Sequence, residues 1–96
     1  MPWFAYIGRD GPNGSALRPR LRPRHLESLE PLDAAGRIAH AGPLVGDDGQ
    51  PIGSLVVFEA DDLAAARAFA ASDPYVTEGV FAEHEVRETK VVFPRR

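Results

Sequence analysis

Along the 96 residues, the spacing of apolar positions switches between the period of a strand and that of a helix. Trp3 to Ile7 is short, aromatic and bounded by Gly8 and Asp10, and reads as a first strand. A helix is predicted from Pro23, suited to a first helical position, to Gly36, suited to the residue after a helix end. Its wheel gathers His25, Leu29 and Leu32 on an inward stripe with Leu26 beside them, while Arg24, Glu27 and Glu30 face away. Pro31 within it should cost on the order of 3 kcal/mol, which predicts a kink or two short helices. Residues 37–44 and 54–60 ("RIAHAGPL", "SLVVFEA") read as a hairpin about the turn-rich "DDGQPIG". Asp61 or Asp62 then caps a helix over 63–72, anchored by Leu63 and Phe69, and residues 80–93 supply the last strand or two.

That order is βαββαβ, an α+β ferredoxin-like pattern: an antiparallel sheet with two helices on one face. Its third strand lies between the first two, which run parallel. This brings His25, Asp73, Gly42, Pro43 and the segment before the first helix to one edge of the sheet. The segment, "GRDGPNGSALRPRLR" (8–22), is rich in Gly, Pro and Arg and reads as a long loop. Residues 9–20 are therefore expected to be more mobile than either helix.

Length narrows the organisation to one domain over 1–96. A net charge of −3 with 26% charged residues offers no general attraction for nucleic acid or anionic lipid. The absence of cysteine excludes disulfides and thiolate chemistry and fits a reducing compartment, with the cytoplasm as default. The apolar run at the start is too short for a signal-peptide core or a membrane span, so no membrane partner is expected. No carboxylate pattern surrounds His40 or His84, "GPNG" and "GDDGQPIG" read as turns, and the strand "SLVVFEA" lacks stacking aromatics. No metal, no cofactor and no nucleic acid is therefore expected.

The chemistry concentrates in "SDPYV" (72–76), where an acid and a proline interrupt an alanine-rich helix. Asp73 can cap a short helix begun by Pro74, accepting from the amides of Tyr75 or Val76. It can also orient His25, and the two roles are compatible, one oxygen serving each. On that basis Asn at 73 would keep the cap and most of the stability. For His25, wheel position alone favours an ordinary core histidine. The convergence with Asp73 opens the alternative of a proton carrier, since imidazole takes either protonation state near neutrality. Arg18, Arg20, Arg22 and Arg24 alternate and read as a solvated run, the alternative being that one or two of them bind an anionic substrate group by paired hydrogen bonds. Tyr75 and Phe81 read as packing residues that could also line a pocket.

"RPRHL" at 22–26, "GRI" at 36–38, "AGP" at 41–43, "GS" at 53–54, "DPYV" at 73–76 and "GVF" at 79–81 stand in an order and spacing that resemble the YciI-like (YCII domain) proteins. The resemblance covers nearly the whole chain, from which it departs at Pro31 and in the arginine-rich lead-in. It implies the dimeric α+β barrel superfamily and a homodimer. It also implies a His-Asp pair at His25 and Asp73, with Arg22, Gly42, Pro43 and Tyr75 against a small-molecule substrate. Dehydrochlorination of a hydroxylated aromatic within the family implies acid–base chemistry on a small anionic or phenolic compound. The competing expectation is a non-catalytic dimeric module that binds a metabolite or partner in the same pocket.

Overall fold

The computed structural model describes residues 1–95. Its elements are β1 (Trp3–Asp10), α1 (Gly14–Ala34), β2 (Ile38–Val45), β3 (Pro51–Glu59), α2 (Leu63–Ser72), α3 (Pro74–Thr77) and β4 (Phe81–Thr89). The four strands form one sheet in the order β2-β3-β1-β4, every neighbouring pair antiparallel. This is the expected ferredoxin-like arrangement, with α3 added as a single turn. β3 lies between β2 and β1, which makes those two parallel.

Alternation along the strands decides the core. Phe4, Tyr6 and Gly8 of β1 pair with Phe58, Val56 and Ser54 of β3, so all six share one face, and all are buried. The helices cover that face with Leu21, Leu29, Ala66 and Ala70. Close strand approach has a residue requirement at Gly53, where a Cβ would overlap the carbonyl oxygen of Gly8.

The largest departure from expectation is the lead-in: α1 begins at Gly14 rather than Pro23, and most of the presumed mobile loop is helix. His25 consequently sits in the middle of the helix instead of its first turn. The cause is tertiary. Leu17 and Leu21, one turn apart, pack on the core, and Leu21 is 3% exposed. Burial on that scale stabilises by roughly 1.5–3 kcal/mol per side chain and overrides a weak local preference.

Pro19, Pro23 and Pro31 all lie inside this one helix, which does not divide at Pro31. Each proline removes the bond to the carbonyl four residues earlier, here Ser15, Pro19 and Glu27. All three prolines, and all three residues that lose a partner, are exposed. Water can therefore solvate the freed carbonyls, and the buried stripe of Leu21, His25 and Leu29 is untouched. Leu26, expected beside that stripe, is 39% exposed instead.

At the other end of the core, Asp62 caps α2, its carboxylate accepting from the Ala65 amide at 2.8 Å. Residues 81–89 form a single final strand rather than two. No helix among the described residues is long and apolar enough to cross a membrane.

Candidate active site

The break between α2 and α3 sets the site. Pro74 cannot donate a backbone hydrogen bond, so the chain leaves α2 at Asp73 in extended conformation (φ −62°, ψ 129°) and restarts as α3. That turn aims the Asp73 carboxylate inward, where the residue is only 2% exposed. Oδ1 accepts from the Tyr75 amide at 3.0 Å, the expected cap. A buried carboxylate needs further donors, and two arrive from other elements. The Tyr6 hydroxyl on β1 donates to Oδ2 at 2.8 Å. Nδ1 of His25 on α1 lies 2.9 Å from Oδ1 and 3.0 Å from Oδ2.

An ionised carboxylate only accepts, so Nδ1 carries a proton, and in its neutral form His25 presents its lone pair at Nε2. Among the described residues Nε2 makes no hydrogen bond, and the sole buried side-chain nitrogen or oxygen without a partner is Nε of Arg37. Nε2 therefore keeps contact with solvent. The imidazole stacks on the Tyr75 ring at 4.0 Å between centroids and 7° between planes, which fixes its plane.

Beside His25 opens a cavity of about 510 Å³, lined on the α1 side by Arg18, Arg22 and Leu26 and on the strand side by Gly42, Pro43 and Ser54, with Tyr75 between. The volume is in the range of small-ligand sites. All four residues expected to meet a substrate (Arg22, Gly42, Pro43 and Tyr75) line this cavity with His25, and Asp73 lies behind it.

Arg18, assigned from sequence to a solvated run, is partly buried and rigidly held. Its Nε and Nη2 form a two-pronged pair with Asp10 at 2.8 Å each, and Nη2 also donates to the Gly53 carbonyl and Ser54 Oγ. The guanidinium lies over the rings of Tyr75 and Phe81, 5.0 and 5.8 Å from their centroids. The bond to Asp10 raises its pKa further, against the effect of burial. Arg22, by contrast, has no hydrogen bond or ion pair among the described residues and is exposed on the cavity wall. Burial pushes the Tyr75 phenol up, partly offset by Arg18 and Arg22. Tyr6 is pushed up strongly, by burial first and then by the Asp73 charge and the hydrogen bond to it, so it stays a neutral donor.

Sequence reading missed Tyr6, Asp10, Arg18 and Ser54 as parts of this arrangement. For Tyr6 a signal existed: it shares the inward face of β1 with Phe4, and a buried phenol needs a polar partner. For Arg18 none did, since its Asp10 and Ser54 partners depend on where α1 begins.

The YCII-related domain family matches residues 2–90. The chain belongs to that family. An uncharacterized protein of Haemophilus influenzae is 37% identical to this YCII protein, over 95% of this chain and 99% of the relative. Protein YciI of Escherichia coli is 35% identical over 94% and 98%. Among solved structures, 5-chloro-2-hydroxyhydroquinone dehydrochlorinase from Burkholderia phenoliruptrix, in complex with 2,5-dihydroxybenzoquinone, superimposes with a TM-score of 0.81 at 31% identity, covering 92% of this chain and 93% of that one. An antibiotic biosynthesis monooxygenase gives a TM-score of 0.58 at 15% identity over 96% and 99%, a likeness of fold alone. Together the family and the dehydrochlorinase fit a small-molecule enzyme.

Proposed function

We propose that this YCII protein catalyses acid–base proton transfer on a small phenolic or anionic compound, with His25 as proton carrier and Asp73 as its orienting partner. One observation carries the reading. Nδ1 of His25 is committed to a buried carboxylate, while Nε2 is left unbonded beside a cavity of small-molecule size. In that reading Nε2 takes a proton from the substrate, Asp73 stabilises the imidazolium formed, and the same proton is later returned to a leaving group, another substrate atom or water. Arg18 and Arg22 supply positive charge for an ionised oxygen, and Gly42, Pro43 and Tyr75 shape the walls. The dehydrochlorinase relative acts on a hydroxylated, chlorinated ring, and elimination from such a compound needs a base of this kind.

The test is chloride release from 5-chloro-2-hydroxyhydroquinone, followed by a wider set of phenols and small organic anions. His25→Gln should lower turnover by about 10²–10⁴-fold while calorimetric binding of 2,5-dihydroxybenzoquinone persists. Binding with no turnover of any compound by the wild-type protein would move the assignment to the metabolite-binding module.

We also infer a homodimer of single-domain chains. Ala5 and Ile7 pair with Val57 and Leu55 on the sheet face away from the helices, and all four are only half-buried. Nearby Val92 and Phe93 are 67% and 71% exposed. An apolar strip of this kind along the two central strands is better covered by a second copy than by water. Light scattering should give twice the chain mass at micromolar concentration; a monomer there would refute the dimer.

A further inference from the structure

The Asp73 carboxylate can do its work on His25 only if its plane is fixed, and side-chain rotation about the bond to the carboxyl group is soft. The Tyr75 amide holds Oδ1 but leaves rotation about that contact. His25 does not add independent restraint, because it is the group to be oriented. The remaining bond is that from Tyr6, 67 residues away in sequence, to Oδ2 at 2.8 Å. Tyr6 and Asp73 are each 2% exposed, so no water substitutes readily for either.

We propose that Tyr6 is a positioning residue of the site: its phenolic O–H pins Oδ2 of Asp73, so that both carboxylate oxygens face Nδ1 of His25 and the imidazole is held as the Nδ1–H tautomer. This rests on the His25 reading above. The Tyr6 ring is itself anchored, edge-on to Phe81 at 6.2 Å and to His84 at 6.0 Å, so its hydroxyl is delivered by a rigid strand rather than a mobile loop. Phe81 is in turn edge-on to Tyr75 at 5.6 Å. The amide and the phenol thus reach the carboxylate from two elements braced against one aromatic residue. The role is one of geometry and charge distribution: the phenol donates without transferring its proton and touches no substrate.

Tyr6→Phe keeps the ring and removes the donor. Nitrogen-15 NMR of the imidazole separates positioning from packing, and it needs no substrate, so it can fail independently of the assigned reaction. The wild-type protein, with its imidazole in the neutral form, should show a pyrrole-type Nδ1 and a pyridine-type Nε2. Tyr6→Phe should show both shifts moved toward averaged values, with the Nε2–H tautomer populated several-fold more. Once a substrate is in hand, turnover should fall about tenfold with little change in KM. In an Asp73→Asn background the same Tyr6 substitution should change neither further, because its effect passes through that carboxylate. Identical imidazole spectra with and without the hydroxyl would overturn the proposal, as would an equal effect of Tyr6→Phe in both backgrounds. The wild-type protein offers a check that needs no variant: the Tyr6 phenolic proton should be a slowly exchanging downfield resonance. Its absence at low temperature would also overturn the assignment.

Discussion

Asp73→Asn separates the two jobs of the carboxylate. Asn caps a helix about as well as Asp, so its carbonyl oxygen can keep the Tyr75 amide, and α3 should survive. The other terminal atom becomes an NH₂ that meets the Tyr6 hydroxyl and crowds Nδ1–H of His25, which is left to share the one carbonyl oxygen with the Tyr75 amide. Both can adapt. The phenol can turn to accept, and the imidazole can move its proton to Nε2 and accept at Nδ1. Two hydrogen bonds to an ion are exchanged for two neutral ones, and bonds to charged groups are worth ~1.5–3 kcal/mol against about 1 for neutral pairs. The net loss should be about 1–4 kcal/mol, larger than sequence alone suggests, because the carboxylate serves three partners rather than only the cap. For a chain of this length each kcal/mol is worth ~4–8 °C, so thermal unfolding at neutral pH should move down by about 4–30 °C. The proton shift to Nε2 places hydrogen where the lone pair is needed, and turnover should fall by about 10³–10⁴-fold. Circular dichroism reads the first effect and nitrogen-15 NMR of the imidazole the second. An unfolding temperature unchanged within about 2 °C, together with an Nε2 still of pyridine type, would refute the reasoning.

Leu21→Ala should cost about 2–5 kcal/mol in urea unfolding, since Leu21 is 3% exposed and packs in the core; a loss below about 0.5 kcal/mol would put this residue back in a loop. Gly53→Ala should be destabilising despite its small size, because the added methyl meets the Gly8 backbone carbonyl rather than a side chain that can swing away; an unchanged unfolding temperature would contradict that contact. Tyr6 and Tyr75 both have raised pKa values in the folded chain, so their contribution is fully present below the unfolded phenol value of about 10 and is lost as pH rises above it toward the folded values. Stability against urea should fall steeply above about pH 10, and Tyr6→Phe should flatten that fall.

What the sequence determined by itself was the order of elements and the place where chemistry could gather. The short apolar runs at 3–7 and 54–60, bounded by turn residues, and the small-residue run of 63–72 are each legible locally, because a strand or helix must bury apolar surface whatever its neighbours are. Asp73 and Pro74 were legible for the same reason, since a cap and a helix restart involve only adjacent residues. The βαββαβ order then brought His25 to Asp73, 48 residues apart in sequence. Tertiary structure alone decided the start of α1. Pro12, Pro19 and the glycines near residue 14 argue locally for a loop that ends at Pro23, and only the packing of Leu17 and Leu21 against the core outweighs them. That one decision carries Arg18 to Asp10 and Ser54, a relation with no sequence signature because its three members come from different elements. The Tyr6 bond to Asp73 is of the same kind: a tyrosine on a strand declares that it wants a partner, but which carboxylate it meets depends on how the sheet and the helices stack.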